Sequence, residues 1–298
     1  MNSSAPVRRT TEIEEITNLY FIHPLAGRLV PLFARRHVTP NAVSLTGLLF
    51  GLLAAFAYYH YQNPLWAVTG FVMMIAWHVM DGADGQLARV THTQSHFGKV
   101  LDGLSDASTF AAVYTAFALA LSREYGPRSV ALVVAAAACH LVQAATYEAQ
   151  RQEYDHWAWG RGSPPPARAA VGGASAAPAL LGLLDRLYYV GLSFPAARVM
   201  ERTRATLSVA LVGQPGREAL IHERYRETFA PLLRQWSLLS ANYRTLGIFA
   251  CVLLEAPQYY FWFTIIGFNA IMVWLIHRQG ERCKALLDMF DAPDGAAI

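Results

Sequence analysis

The sequence predicts an all-α integral membrane protein with six transmembrane helices and an N-terminal amphipathic helix lying in the interface. Three observations predict it. Apolar residues make up 54% of the 298-residue chain and charged residues only 15%, too apolar for an ordinary soluble domain. Several long apolar segments approach the roughly 20 residues that a helix needs to cross a hydrocarbon core about 30 Å thick. Lys and Arg crowd into alternate loops, as they do when short basic loops stay cytoplasmic.

Ahead of the first span, residues 13–36 mix Ile16, Leu19, Tyr20, Leu25, Leu29, Leu32 and Phe33 with basic residues, which suits a helix on the cytoplasmic leaflet. The spans are read at 42–61, 66–84, 101–121, 129–147, 243–256 and 259–277. The fifth is short, and Pro257 follows Glu255 closely, so spans five and six are expected to form a tight hairpin broken at 255–258. Residues 151–239 read as a cytoplasmic insertion. It opens with a Pro/Gly/Ala-rich linker over 162–178, continues with an apolar helix over 180–194 that carries Asp185 and Arg186, and ends in two arginine-bearing helices near 197–212 and 217–239. The expected organisation is thus a cytoplasmic N-terminus (1–41), spans one to four (42–150), the insertion (151–239), spans five and six (240–278) and a cytoplasmic tail (279–298).

The N-terminal segment, the second loop and the tail are basic, whereas the first and fifth loops hold no Lys or Arg, so both termini are expected in the cytoplasm. The first 15 residues lack the apolar run and small-residue cleavage site of a removable signal. Cys139, Cys251 and Cys283 are far apart and form no C-x-x-C pair, which excludes a disulfide framework or zinc site as the reading. A net charge of +3 with scattered basic residues argues against a nucleic-acid partner.

From Asp81 the chain reads DGADGQLARVTHTQSHFGKVLDGLSD. At 100° per residue, Asp81, Asp84, Gly85, Ala88 and Arg89 share one helix face, and Gly98, Asp102, Ser105, Asp106 and Thr109 share a face of the next helix. Ionised groups near a bilayer are costly, and four carboxylates also repel one another. Hard oxygen ligands crowded together suit Mg²⁺, Mn²⁺ or Ca²⁺, with two ions bridged by the aspartates as one arrangement. Gly85 and Ala88 leave room for a nucleotide to approach the backbone, and Arg89 offers a planar fork to phosphate oxygens. The competing account, in which these aspartates cap helices and pair with Arg89, Lys99 or Arg36, suits a single Asp better than four on converging faces.

This stretch resembles the signature of the class I CDP-alcohol phosphotransferases, D-x2-D-G-x2-A-R-x8-G-x3-D-x3-D, at every fixed position: Asp81, Asp84, Gly85, Ala88, Arg89, Gly98, Asp102 and Asp106. The wider resemblance, a six-helix membrane domain, covers about 13–150 and 240–278, with 151–239 outside it. It implies that Asp81, Asp84 and Asp102 are metal ligands, and that Asp106 is the base for the acceptor hydroxyl and also touches a metal. It implies a CDP pocket of Gly85, Ala88, Arg89 and Gly98, with Mg²⁺ or Mn²⁺ as cofactor. Thr39-Pro40-Asn41 with Ser44 resembles the P-N-x-x-[ST] element of many members, so Asn41 is both a helix-start residue and a candidate nucleotide contact.

The implied reaction moves a phosphatidyl group from a CDP-linked donor, CDP-diacylglycerol first, to an alcohol acceptor with release of CMP, in phospholipid biosynthesis. Membrane lipid and a second copy in a homodimer are the implied partners, and a bacterial-type inner membrane the location. The same signature serves enzymes that use a soluble CDP-alcohol such as CDP-choline, CDP-ethanolamine or CDP-inositol. A divalent-cation transporter is the reading of another class. His140, Tyr147, Glu148 and Arg151 on one face of span four, with Asn242 and Arg244, read either as an acceptor site or as interface anchors. His78 reads as packing, and Asn269 and Glu255 have no assigned role.

Overall fold

In hydrocarbon every backbone N–H and C=O must find its partner within the chain, and this sequence answers with helices. A computed structural model describes residues 12–161, 195–213 and 218–291, and among these there is no strand. The expected linker at 162–178 and apolar helix at 180–194 lie outside the described residues.

One π-helical turn, Asn18–Ile22, leads into α1 (His23–Arg35). There follow α2 (Pro40–Tyr59), α3 (Pro64–Val90), α4 (His96–Tyr125), α5 (Arg128–Trp159), α6 (Pro195–Gly213), α7 (Glu218–Trp236), α8 (Ala241–Leu253), α9 (Gln258–Ile265) and α10 (Gly267–Asp291). Side-chain oxygens start three of them: Thr39 accepts from Ala42 N–H, Asn63 from Leu65 and Ser95 from Gly98. Pro40 and Pro64 sit in first turns, where a missing N–H costs nothing. None of the four motif aspartates serves as the cap of α2, α3 or α4, so the capping account of them fails for these helices.

Among the described residues, five stretches are long and apolar enough to cross a membrane: Pro40–Tyr59, Pro64–Val90, Val100–Tyr125, Arg128–Trp159 and Gln258–Met289, the last joining α9 and α10. The helix at the expected fifth span, α8, has 13 residues, short of the roughly 20 required. Its end is set by Glu255, held in the left-handed region at φ 55°, with Pro257 next but one, which is the break the sequence announced. Helices α3, α5 and α10 run well past the expected span ends because polar residues there keep helical spacing and merely leave the apolar stretch. The two arginine-bearing helices near 197–212 and 217–239 are α6 and α7.

The chain forms two compact units. The first holds the described residues up to Ala137 and Ala241–Ile265, the second those within Ala138–Ser240 and from Ile266 onward. In the first, α2 packs against both α3 and α4, α1 lies on α3, and α8 packs on α3 and on α9. Small residues let the backbones approach, as is usual between membrane helices. A Cβ at Gly51 would overlap Thr109 of α4, and one at Gly70 of α3 would come within 2.7 Å of the Tyr58 ring. The expected interfacial helix buries Ile22, Ala26 and Val30 against Val79, Ala83 and Leu87 of α3, while Ile16, Tyr20, Phe21 and Leu32 stay exposed.

In the second unit α10 packs on α6 and α7. Here the joints are polar. Glu153 of α5 is buried and receives two hydrogen bonds from Arg204 of α6, at 2.7 and 2.6 Å. Asn269 of α10 accepts from Gln143 of α5 at 2.7 Å and donates to the Cys139 sulfur at 3.3 Å, which gives Asn269 an interhelical role.

Candidate metal centre

The motif straddles the end of α3 and the start of α4, joined by residues 91–95. The turn is held from both sides. Thr93 N–H donates to the Ala88 carbonyl at 2.9 Å, the Thr91 hydroxyl to the Leu87 carbonyl at 2.8 Å, and Ser95 caps α4 through Gly98 N–H at 2.9 Å. Side chains one helical turn apart face the same way, so Asp81 and Asp84 leave α3 toward the side where Asp102 and Asp106 leave α4.

Asp81, Asp102 and Asp106 each present one carboxylate oxygen, and these oxygens all lie within 4.8 Å of one another. Three ionised carboxylates so close repel by roughly 3 kcal/mol per pair at an effective dielectric of about 20. A divalent cation removes that cost, and an all-oxygen set is what Mg²⁺ or Mn²⁺ takes. The donor set therefore fits the metal.

Asp84 is outside this trio. It is buried and accepts a hydrogen bond from the Ser44 hydroxyl of α2. Ser44 also reaches the Pro40 carbonyl at 3.2 Å, so the carboxylate is tied to the first turn of α2. The P-N-x-x-S element had singled out Ser44, but its partner, 40 residues away, carries no local signal.

The nucleotide-binding candidates gather nearby. The Arg89 guanidinium lies over Gly85, where an added Cβ would sit 3.4 Å from Nη1. Gly98 is flanked by Ser95 and by the Asn41 side chain, whose Oδ1 would be 3.6 Å from a Cβ there. Asn41 and Gly98 thus adjoin, while Gly85, Ala88 and Arg89 are half-buried one to two turns beyond Asp81.

Beneath the carboxylates is a polar core the sequence did not reveal. His78 is buried and hydrogen-bonds the Thr245 hydroxyl of α8 at 2.9 Å, in keeping with a packing role. Next to it, Arg244 is fully buried and reaches the Tyr114 hydroxyl, which meets that of Tyr260 at 3.0 Å. Asn242 donates to Glu15, Thr17 and Asn18 within 2.6–2.9 Å, fastening α8 to the segment before α1. Glu148 and Arg151 pair with each other at 2.9 Å in the second unit.

With the trio, the Ser44 clamp and the glycine-lined flank in hand, comparison with known proteins gives the class. The sequence profile described as CDP-alcohol phosphatidyltransferase matches residues 37–202, more than half of the chain, and the chain belongs to that family. It is accordingly an integral membrane protein. The match runs on through residues 151–202, so the family's reach includes part of the segment the sequence reading had set aside as an insertion. Among individual proteins, the chain is similar to an archaetidylinositol phosphate synthase from Pyrococcus horikoshii, 38% identical over 85 residues, 27% of this chain. The matched stretch spans 43% of that relative's length.

Proposed function

We propose that this protein transfers a phosphatidyl group from CDP-diacylglycerol to a polar alcohol with release of CMP, using Mg²⁺ or Mn²⁺ held by the motif aspartates. The observation that carries the reading is the convergence of Asp81, Asp102 and Asp106 on a segment that matches the family signature throughout. Asp81, Asp102 and Asp106 would hold the metal together, and Asp84, held by Ser44, would serve a second ion in the full site. When bound, the cation neutralises the donor diphosphate and stabilises charge on the departing phosphate.

The chain's own residues supply the rest. Asp106 takes the proton of the acceptor hydroxyl while that oxygen bonds to the donor's β-phosphorus and the bond to CMP breaks. Arg89, lying over Gly85, gives the donor phosphates a two-pronged partner. Gly85, Ala88 and Gly98 leave the backbone open to the nucleotide, and Asn41 contacts it from α2. Ser44 keeps Asp84 in place.

Two features favour a lipid donor and a soluble acceptor. Phe97, Val100 and Leu104 form an exposed apolar stripe on α4 alongside Asp102 and Asp106, suited to acyl chains. The similar protein is named for a product that joins a lipid to inositol phosphate, so an inositol phosphate heads the candidate acceptors, ahead of glycerol phosphate and serine. The site and both termini face the cytoplasm of a bacterial-type inner membrane, which requires α8 to complete a sixth crossing, and the working form is a homodimer.

Purified protein given Mg²⁺ or Mn²⁺, CDP-diacylglycerol and each acceptor in turn should release CMP, and Asp106→Asn should not. Release only with diacylglycerol plus a soluble CDP-alcohol would reassign the donor. Metal uptake into liposomes with no CMP release would overturn the reading in favour of a transporter.

A further inference from the structure

The far end of the α2–α4 bundle carries a second constellation. Glu124 lies 18 residues along α4 from Asp106. At 1.5 Å per residue that is about 27 Å, close to the thickness of a hydrocarbon core. Here the C-terminal ends of α2 and α4 and the start of α3 form an open surface cavity of about 430 Å³ lined by Tyr59, His60, Gln62, Trp66, Arg123 and Glu124. That volume is within the range of small-ligand sites.

Its two charges are opposite and separately held. The Arg123 guanidinium sits 4.8 Å from the centre of the Tyr59 ring. Glu124 accepts from the Tyr61 hydroxyl at 2.6 Å and from Gln62 Nε2 at 3.1 Å. Burial and the adjoining Glu124 push the Tyr61 hydroxyl well above the ordinary phenol range, so it remains a donor. Among the described residues, neither Arg123 nor Glu124 takes part in an ion pair. A fixed cation and a fixed anion, each oriented by a neutral neighbour, form a recognition pair for a molecule bearing both charges.

The surroundings specify more. The C-terminus of α4, which carries Glu124 in its last turn, adds partial negative charge there and favours an ammonium, while the N-terminus of α3 adds partial positive charge suited to a phosphate. The His60 ring lies 4.9 Å from that of Tyr59 and 5.7 Å from that of Trp66, and aromatic faces also attract cations. Leading away from the cavity, Phe56, Leu52, Leu49 and Leu45 form an exposed apolar stripe at helical spacing down α2. A charged pair at headgroup depth above an apolar runway matches a lipid, polar at one end and apolar along its length.

We propose that this cavity binds the headgroup of a zwitterionic phospholipid of the phosphoethanolamine type, drawn from the leaflet opposite the aspartates. Its phosphate lies on Arg123, its ammonium on Glu124 and the aromatic faces, and its acyl chains along α2. The site is independent of the donor and acceptor chemistry.

The test uses the full chain in detergent, stripped of lipid and offered equimolar short-chain phosphatidylethanolamine and phosphatidylglycerol, with retained lipid read by native mass spectrometry. The wild type should retain the ethanolamine lipid by about tenfold over the glycerol lipid, as loss of one charge-assisted bond implies. Glu124→Gln should lose that preference, and Arg123→Gln should lower retention of both lipids, each at an exposed position and each keeping the wild-type circular dichroism and elution volume. A headgroup-diazirine ethanolamine lipid should label the wild type on the peptides holding residues 59–66 or 123–124, a readout that does not depend on any variant. No preference in the wild type, a preference unchanged in Glu124→Gln, retention unchanged in Arg123→Gln, or labelling confined to other peptides would overturn the proposal. Retention of free O-phosphoethanolamine with no lipid retained would overturn the lipid as its source.

Discussion

The two compact units fix their helices by different means. In the unit that carries the aspartates, α2, α3 and α4 meet through missing side chains, at Gly51 and Gly70, where added carbons would strike Thr109 and Tyr58, and at Gly47, where one would crowd Met80. In the other, α5 is joined to α6 and α10 by groups that reach out, as Glu153 does to Arg204 and Asn269 to Gln143. Close backbone approach holds a carboxylate to a defined position, because a glycine contact has almost no rotameric freedom. Paired side chains give specificity of partner but tolerate movement. The metal centre uses both: glycine contacts set its helices, and the Ser44 hydroxyl holds Asp84.

Four substitutions bear on that contrast, from the largest effect to the smallest. Asp106→Asn should cut CMP release by about 10²–10⁴-fold, the range for a general base, with little change in thermal unfolding. That result would mark the residue as chemical rather than architectural. Glu153→Ala, which leaves Arg204 without its buried partner, should cost about 3 kcal/mol in denaturant titration, with the affinity for Mn²⁺ unchanged. If metal affinity falls in parallel, the two schemes are not separable. Gly51→Ala should cost about 2 kcal/mol, because the methyl meets Thr109, and should also lower activity, as Asp106 lies one turn away on the same face of α4. Ser44→Ala should weaken Mn²⁺ binding by about tenfold in calorimetry, the scale on which supporting hydrogen bonds act on metal ligands.

Legibility in the sequence follows the same division. The four aspartates, Gly85, Gly98 and Arg89 lie within 26 residues at helical spacing, so periodicity marks the cluster, though not that Asp84 turns to Ser44 while the other three converge. Helices α6 and α7 were legible from their charge and apolar pattern. What escaped is pairwise and distant. The Ser44 bond to Asp84 spans 40 residues, Arg204 to Glu153 spans 51, and Tyr114 to Tyr260 spans 146, and no local window contains both members of any of these. The short fifth span, read at 243–256, is α8 over Ala241–Leu253, and its end was legible because Glu255 and Pro257 mark the break locally.

Thr109 resting on Gly51 carries an evolutionary consequence. The two positions share one volume, so a lineage that acquires a side chain at 51 must shed atoms at 109, or else lose the register of Asp106 one turn away. They should therefore change together while the aspartates stay fixed, and a chain bearing the full motif with bulk at both positions should be inactive.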